Sequence, residues 1–447
     1  MNSKEKAVEI LDRLIKLKPD GAEVYFKSSE SFNVEVKDQK VEALDASRSH
    51  GIGVRLLLGK RMGFGFTSDI NEESIEGLIK NLFANTRNIQ DDRYSTLPDK
   101  PAEDYRSPSV FDENIERVSG DERIRKAAIL EKAAIDYDSR IKKVRKASFS
   151  LSIYDILILN SKGIEVSYKG TASSVSVMAV AEDRGDSQIG WDFAVSPFLH
   201  RLDMEGVGRM AARKAVEMLG ARRINSVRAP VVLDSSVTAD LLGVLAPALS
   251  ADAVQKGRSL FAGKSGQKIA APFLSLIDDG LLPEGIATSP ADDEGIPMQR
   301  KVLIDRGELK GFLHNTYTAK KDGIRSTGNC VRGGFRGIPG VGITNLYIEK
   351  GDISKESLIK EIERGLYITE AMGVHTANPI SGDFSIGVSG LWVEGGEYSY
   401  PVREAVISGN IIDLMKKVNG ISDDIRFYGR IGSPSIRVMD IDISGGS

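Results

Sequence analysis

The sequence SSVTADLLGVLAPALSADAV, residues 235–254, is an apolar stretch near the middle of the chain. It directly follows an apolar run, Ala229–Leu233, which predicts a buried strand. Its leucines and alanines favour a helix from Ser235 to Val254. The pair therefore predicts a strand followed by a helix at the start of the second half.

Beyond this helix the chain is rich in strand patterns and in glycine. Glycines crowd residues 328–342, a segment that fits either a binding loop or a mobile loop, because glycine allows close approach of the backbone. Helices and strands are mixed without regular βαβ alternation, so the predicted class is α+β. We predict strands at Lys301–Ile304, Thr344–Ile348, Phe384–Val388 and Leu391–Val393, and helices at Lys355–Leu366 and Ile411–Lys416.

The first half contains one pattern twice, at residues 3–86 and 119–220. Each copy predicts a helix, a β-meander and a closing helix. Gly-Phe-Gly-Phe at 63–66 and Gly-Trp-Asp-Phe at 190–193 occupy corresponding positions before the closing helices. Duplication is the favoured interpretation, and chance similarity is the alternative. The polar segment 91–109, with three prolines, predicts a linker between the copies.

Composition excludes several classes of protein. The 447 residues carry 60 Lys and Arg against 63 Asp and Glu, a net charge of −3, so no strong signal for nucleic acid is present. The single cysteine, Cys330, cannot form an intrachain disulfide. The N-terminus lacks the apolar core of a signal peptide, and the longest apolar run, Leu241–Val254, is too short to span a membrane. These features predict a cytoplasmic protein with no membrane partner.

The four histidines give no metal signature. They are His50, His200, His314 and His375; none precedes a glutamate, and none lies within five residues of another. The acidic segment Asp292-Asp293-Glu294, which precedes Gly295, is the best remaining functional candidate. Its carboxylates could receive a peptide N-terminus, a basic side chain or a cation, or they could form a solvated turn by bonding local backbone N–H groups.

Several segments resemble the TldD/PmbA family of metallopeptidases, also called modulators of DNA gyrase. They are the 235–254 helix, KGRSLFAGKSGQKIAAPFLSLIDDG (256–280), ADDEGIPMQRKVLIDRGELKGFLHNT (291–316), STGN (326–329) and residues 373–415. In the metal-bearing branch the helix carries H-E-x-x-x-H, and Leu242, Gly243 and Pro247 stand at those positions here. The region 423–435, which resembles the site of a third, cysteine ligand, contains no cysteine. The chain is therefore most similar to the PmbA/TldE-like branch without the zinc motif.

The resemblance implies an N-terminal α+β portion at 1–222 and a strand-rich C-terminal portion at 226–447 that packs around the site helix, 235–254. It also implies a dimer, formed with a TldD-like zinc-bearing subunit or with a second copy, whose central cavity takes unfolded or extended peptides. Under this hypothesis the chain itself holds no metal or cofactor and no catalytic residue. The candidate substrate-binding residues are Asp292, Asp293, Glu294 and Asn329.

Two other hypotheses remain open. One is a regulatory protein that acts on gyrase or another partner without proteolysis. The other is an autonomous hydrolase that uses Asp292, Asp293 and Glu294 with an unrecognised metal.

Overall fold

The computed structural model describes residues 3–446. Its first half is one antiparallel six-stranded sheet, ordered β3-β2-β1-β4-β5-β6, with four helices on one face. The elements are α1 (Ser3–Lys16), β1 (Gly21–Lys37), β2 (Lys40–Leu58), β3 (Arg61–Thr67), α2 (Glu72–Thr86), α3 (Gly120–Ile135), β4 (Ile141–Asn160), β5 (Glu165–Asp183), β6 (Asp186–Ser196) and α4 (Met204–Glu217).

The predicted helix–meander–helix unit is present twice, and the two copies meet through β1 and β4, which pair antiparallel along the middle of the sheet. Tight turns connect neighbouring strands in both meanders. Asp38 and Gln39 have φ values of 53° and 58°, and Arg184 and Gly185 have 47° and 86°. Two successive positive φ angles define the hairpin turn whose twist matches paired strands. The helix α3 begins as predicted, with the Ser119 side chain accepting a hydrogen bond from Glu122 N at 3.2 Å.

The second half contains two six-stranded sheets around a large apolar core. In one of them β16 pairs with both β15 and β20, so that five strands close into a ring. The elements are β7 (Val227–Leu233), α5 (Ser235–Leu245), α6 (Ala251–Gln255), β8 (Leu276–Asp279), β9 (Arg300–Asp305), β10 (Glu308–Leu309), α7 (Thr316–Asp322), β11 (Cys330–Val331), β12 (Gly340–Val341), β13 (Leu346–Ile348), α8 (Lys355–Lys360), β14 (Arg364–Met372), β15 (Asp383–Glu394), β16 (Glu397–Asn410), α9 (Ile411–Lys416), β17 (Val418–Ile421), β18 (Arg426–Tyr428), β19 (Ile431–Ser433) and β20 (Ile436–Ser444).

Two predicted helices were too long. The helix expected over Ser235–Val254 ends at Leu245 and is followed by a 3₁₀ turn, Ala246–Leu249, before α6 begins. Pro247 has no N–H to continue the α-helical bonding, which explains the break. The helix expected over Lys355–Leu366 ends at Lys360, because the chain from Arg364 forms β14 between β7 and β15. The strand and helix predictions at 384–393 and 411–416 are confirmed.

The second half covers the face of the first sheet that the helices leave free. Phe335, at the tip of the β11–β12 hairpin, lies against Gly51 and Gly53 of β2, where a Cβ atom at Gly53 would stand 2.5 Å from the Phe335 carbonyl oxygen. The glycine-rich segment 328–342 therefore forms a docked hairpin. None of the helices within residues 3–446 is both long and apolar enough to cross a membrane.

Candidate functional site

The helix α5 starts at the end of β7 and presents one side to the core. Asp234 caps it by accepting a hydrogen bond from Ser236 N at 3.0 Å, and Tyr367 on β14 donates its hydroxyl to the same carboxylate. Burial alone would raise the pKa of Asp234, but these hydrogen bonds hold it below its usual value. The start of α5 is thus fixed against the neighbouring strand.

The three positions that resemble the metal motif carry no donor atoms. Leu242 is 3% exposed and lines a narrow apolar gap in the core with Leu241 and Leu245. Gly243 faces Ile431 of β19, and Pro247 is exposed on the turn after α5. These three side chains can pack, but none of them offers the nitrogen, sulfur or oxygen atom with which a protein side chain binds zinc.

The histidines are also dispersed. His50, His200 and His375 are exposed, whereas His314 is buried and burial lowers its pKa. In the described range 3–446, no three His, Cys, Asp or Glu side chains converge in a way that could hold a metal ion. In the segment 423–435, Asp424 instead accepts hydrogen bonds from Ser435 N at 2.7 Å and from Ser435 Oγ at 2.8 Å, which closes that loop.

Two carboxylates, Asp240 on α5 and Glu370 on β14, lie close enough to the first half of the chain to interact with the charge of Lys214. Both retain solvent contact, yet burial raises the pKa of each, while the charge of Lys214 lowers it in part. Lys214, on α4, donates to Asp192 Oδ1 at 3.0 Å. We call Asp240, Glu370 and Lys214 the α5 recess.

Aromatic rings lie near this recess. Trp191 and Phe193 of β6 stack with ring centroids 4.8 Å apart, and Phe193 contacts Tyr428 of β18 at 5.9 Å. Tyr428 is in turn 2.9 Å, oxygen to oxygen, from Ser235 at the start of α5. Trp191 is 48% exposed, so its ring offers an apolar surface to a ligand.

The acidic segment predicted as a binding site lies between the two halves of the chain. Asp292 is 1% exposed; its Oδ1 accepts from Glu294 N and Ile296 N at 2.9 Å, and its Oδ2 accepts from Cys330 N at 2.9 Å. Burial and the charge of Glu294 raise the pKa of Asp292 to about 7, although the backbone donors act against this shift. The bonds to Glu294 N and Ile296 N form the local turn that the sequence left open as the alternative to a binding role, but the turn is buried and not solvated.

Glu294 is part of a buried ion cluster with Glu23, Arg55 and Arg332. Arg55 Nη1 donates to Glu294 Oε1 at 2.7 Å and Arg55 Nε to Glu23 Oε1 at 2.8 Å, and Arg332 Nη2 also bonds Glu23. Burial alone would raise the pKa of Glu23, but the charges of Arg332 and Arg55 bring it below its usual value. The cluster joins β1 and β2 to the second half of the chain.

Asn329 belongs to a separate buried cluster and is 0% exposed. Its Nδ2 donates to Asp278 Oδ1 at 2.9 Å, and its Oδ1 accepts from Lys301 Nζ at 3.0 Å. Lys301 also pairs with Asp278 at 2.9 Å. The amide thus cross-links β8, β9 and the start of the β11–β12 hairpin.

Asp293 is the least buried residue of the acidic segment, and it lines a cavity together with Asp292. It accepts from Tyr25 Oη at 3.1 Å and from Arg332 N at 2.7 Å, and burial raises its pKa while Arg332 offsets part of the shift. A cavity of about 270 Å³ lies beside it, between the first sheet and the second half. Its polar walls include Lys27, Tyr154, Tyr168, Asp293, Arg332 and Arg430.

Glu23, Arg55 and Arg332 were not predicted from the sequence. A signal was present for two of them, because Glu23 and Arg55 each interrupt an otherwise apolar strand, AEVYF and GIGVRLLLG. A charged residue at such a place needs a buried partner of opposite charge. That the partners Glu294 and Arg332 come from the other half of the chain could not be read from spacing.

Comparisons with known proteins agree on one family. Three of its sequence profiles match: domain 1 of the PmbA/TldA metallopeptidases at residues 22–86, the central domain at 113–219 and the C-terminal domain at 226–445. The metalloprotease PmbA of Escherichia coli O157:H7 is 29% identical, over 99% of this chain and 96% of that protein.

Solved structures give the same result. A candidate modulator of a DNA gyrase from Thermotoga maritima superposes with a TM-score of 0.92 at 27% identity, over 99% of this chain and 100% of that one. TldE from Thermococcus kodakarensis superposes with a TM-score of 0.90 at 25% identity, over 98% and 100% of the two chains. The chain therefore belongs to the PmbA/TldD metallopeptidase family.

Proposed function

We propose that this chain is the zinc-free subunit of a cytoplasmic two-subunit metallopeptidase that cleaves unfolded or extended peptides. The observation that carries the proposal is Leu242, which stands at the first ligand position of the motif with its side chain inside the apolar core. A ligand of a catalytic zinc would instead have to point towards a site where the metal keeps one coordination position open for water or substrate. The catalytic metal then comes from a TldD-like partner, and this chain contributes assembly and substrate binding.

A repair of the motif alone is not expected to create an active site. The helix α5 ends at Leu245, so position 247 lies outside the α-helix that would bring both ligands to one face. The base position is Gly243, and the third ligand position lies in a loop closed by Asp424. The donor set therefore does not fit zinc, and we assign no hydrolytic step to this chain.

For substrate we propose the α5 recess with its aromatic rings as one contact region. Asp240 and Glu370 suit the amine or basic side chains of a peptide, and Trp191 suits its apolar side chains. Of the four residues predicted from the sequence, Asp292 and Asp293 line the cavity between the first sheet and the second half, and Asp293, the less buried of the two, is the one we propose to contact substrate there. Asp292, Glu294 and Asn329 are proposed to hold the walls of that cavity in place.

The first test is zinc per chain, measured by elemental analysis on protein purified alone, together with peptidase activity on a labelled unfolded peptide. We expect almost no zinc and no activity alone, and activity after addition of a relative that carries H-E-x-x-x-H. The control is Leu242→His with Pro247→His, which should stay inactive alone. Activity of that double variant would refute the proposal.

The same test separates the two alternatives. One zinc per chain would support an autonomous hydrolase, although the oxygens of Asp292 are taken by backbone N–H groups and Glu294 is paired with Arg55. A regulatory role is favoured by the description of solved structures from Thermotoga maritima and Bacteroides thetaiotaomicron as candidate modulators of DNA gyrase. A change in DNA supercoiling by gyrase, with no peptidase activity in any combination, would support that role.

A further inference from the structure

The cavity beside Asp293 has a floor formed by the first sheet and a roof formed by the second half of the chain. On the floor, Lys27 of β1 and Tyr154 of β4 lie on the same face of the sheet as Tyr25, whose hydroxyl bonds Asp293. The volume of about 270 Å³ is close to that of the smallest ligand pockets, ~300 Å³. The cavity can therefore hold one end of an extended ligand but not a folded domain.

The two carboxyl groups of this cavity already have hydrogen-bond donors. Asp292 accepts three bonds from backbone N–H groups. Asp293 accepts from Tyr25 Oη at 3.1 Å and from Arg332 N at 2.7 Å. Burial and the charge of Glu294 raise the pKa of Asp292 to about 7, so this carboxyl group is partly protonated at neutral pH. The acidic pair therefore leaves less negative charge in the cavity than two free carboxylates would.

The cationic groups of the same walls lack such partners. Lys27 Nζ lies 5.8 Å from the centroid of the Tyr154 ring, and among the described residues it forms no ion pair or hydrogen bond. In the same part of the chain, the Arg430 guanidinium has a single acceptor, a backbone carbonyl oxygen at 3.4 Å. The buried Arg332 has one guanidinium nitrogen, Nη1, with no hydrogen-bond partner there. A buried donor without an acceptor is destabilising, so these walls favour a ligand that brings anionic oxygens.

We propose that this cavity binds the C-terminal end of a peptide, whose terminal carboxylate pairs with Lys27. Arg332 and Arg430 supply further positive charge from the roof. Asp293 receives the last peptide N–H, because each carboxylate oxygen can accept a second hydrogen bond. The apolar side chains of the walls, among them Ile156, contact the terminal side chain. This inference rests on the proposed role in peptide binding and names the end of the peptide that the cavity takes.

The direct test compares two peptides that differ only in their terminal group. A fluorescein-labelled alanine peptide that ends in leucine with a free carboxylate should bind this chain about tenfold more tightly than its C-terminal amide, because a charge-assisted hydrogen bond is lost in the amide. Fluorescence anisotropy measures both affinities, and Lys27→Met should abolish the preference. The matched control is Lys37→Met at the other end of β1, where Lys37 pairs with Glu42 at 3.6 Å, and it should retain the preference.

Arg430→Met supplies a second variant, whose exposed side chain makes a folding defect improbable. It should weaken binding of the free acid and leave binding of the amide unchanged. Equal binding of the two peptides by the native chain, or binding of neither, would overturn the inference. So would an amidated peptide ending in glutamate that binds as tightly as the free acid, since the cavity would then take an acidic side chain. Inorganic phosphate that displaces the free acid as effectively as unlabelled peptide would also overturn it, in favour of a free anion.

Peptidase activity together with a zinc-bearing relative is measured on the same samples. Activity with equal binding of acid and amide would remove this inference and leave the proposed function intact. A retained preference for the acid without any activity would support the cavity as a carboxylate site and count against the peptidase role. The two proposals therefore fail in different measurements.

Discussion

Carboxylates occur at two places between the halves of this molecule, and their surroundings differ. In the ion cluster, Glu23 and Glu294 are 0% and 1% exposed, and Arg55 bonds both. In the α5 recess, Asp240 and Glu370 keep solvent contact and have no hydrogen bond to another described side chain, with Lys214 as the nearby cation. The first group is saturated with internal partners, whereas the second can still receive a ligand. An acidic segment in a sequence is therefore not by itself a binding site.

The largest effect is expected from Arg55→Met. Removal of this guanidinium leaves Glu294 without a cation partner and Glu23 with only Arg332, so unfolding free energy should fall by about 3–5 kcal/mol. Urea unfolding followed by circular dichroism measures the loss. The matched control is Arg48→Met on the exposed part of the same strand, where the ion pair with Glu30 is solvated and should contribute about 0–1 kcal/mol. Equal effects of the two variants would contradict a structural role for the cluster.

A second prediction concerns the contact between the tip of the β11–β12 hairpin and β2. In Gly53→Ala the new methyl group would stand 2.5 Å from the Phe335 carbonyl oxygen, so the hairpin tip must move, at a cost of about 1–3 kcal/mol. The control is Gly77→Ala within α2, where no atom lies within 4 Å and the change should stabilise by about 0.5–1 kcal/mol. Thermal unfolding of both variants measures the difference. A neutral Gly53→Ala would mean that the hairpin does not dock as described.

The double variant Asp240→Asn with Glu370→Gln tests whether the α5 recess binds basic peptides. If these carboxylates receive basic peptides, affinity for a fluorescein-labelled lysine-containing peptide should fall about tenfold, a change of about 1.4 kcal/mol. Stability should be retained, because neither group has a partner to lose. Fluorescence anisotropy measures binding, and the same peptide with glutamate in place of lysine is the control. Equal loss for both peptides would show that the charge of the recess does not select the ligand.

Sequence patterns could predict the elements but not the partners of their polar residues. The strands and turns of the first half follow from alternation and from turn residues such as Asp38-Gln39, which act over a few positions. The helix break near Pro247 could also have been predicted, since proline has no backbone N–H to donate a helical hydrogen bond. The pairing of Arg55 with Glu294 could not, because it joins residues far apart along the chain whose contact depends on how the two halves dock.

The acidic segment 292–294 shows the same difference between local structure, which the sequence predicts, and long-range contacts, which it does not. A solvated turn was one of the two interpretations that the residues allowed. Local donors such as Ile296 N do form the turn, but it is buried between the two halves of the chain. The recess residues Asp240 and Glu370 gave no local signal, since one lies on a helix and the other on a strand. Their proximity to Lys214 arises only when α4 packs beside α5 and β14. Substrate contact at Asp293 stays a prediction.

The smallest expected effect is on the pH dependence of folding stability, which should differ between carboxylates. In the native state the pKa values of Asp240 and Glu370 are raised above the usual 3.8 and 4.5, so between the usual and raised values the folded chain holds more protons than the unfolded chain. Stability from these groups therefore falls as pH rises through that window. Asp240→Asn with Glu370→Gln removes the slope, and the variant should gain a few tenths of a kcal/mol over the native chain with rising pH.

Asp138 supplies a control, because its contribution to stability changes with pH in the opposite direction. Arg140 donates to it at 2.7 Å and holds its pKa at about 2, so its contribution is present above the usual 3.8 and is lost as pH falls towards 2. Asp138→Asn should therefore lose stability relative to the native chain as pH rises, whereas the recess variant gains. Urea unfolding at a series of pH values measures both slopes. Slopes of the same sign would mean that the recess carboxylates already have internal partners, and the contrast with the ion cluster would then fail.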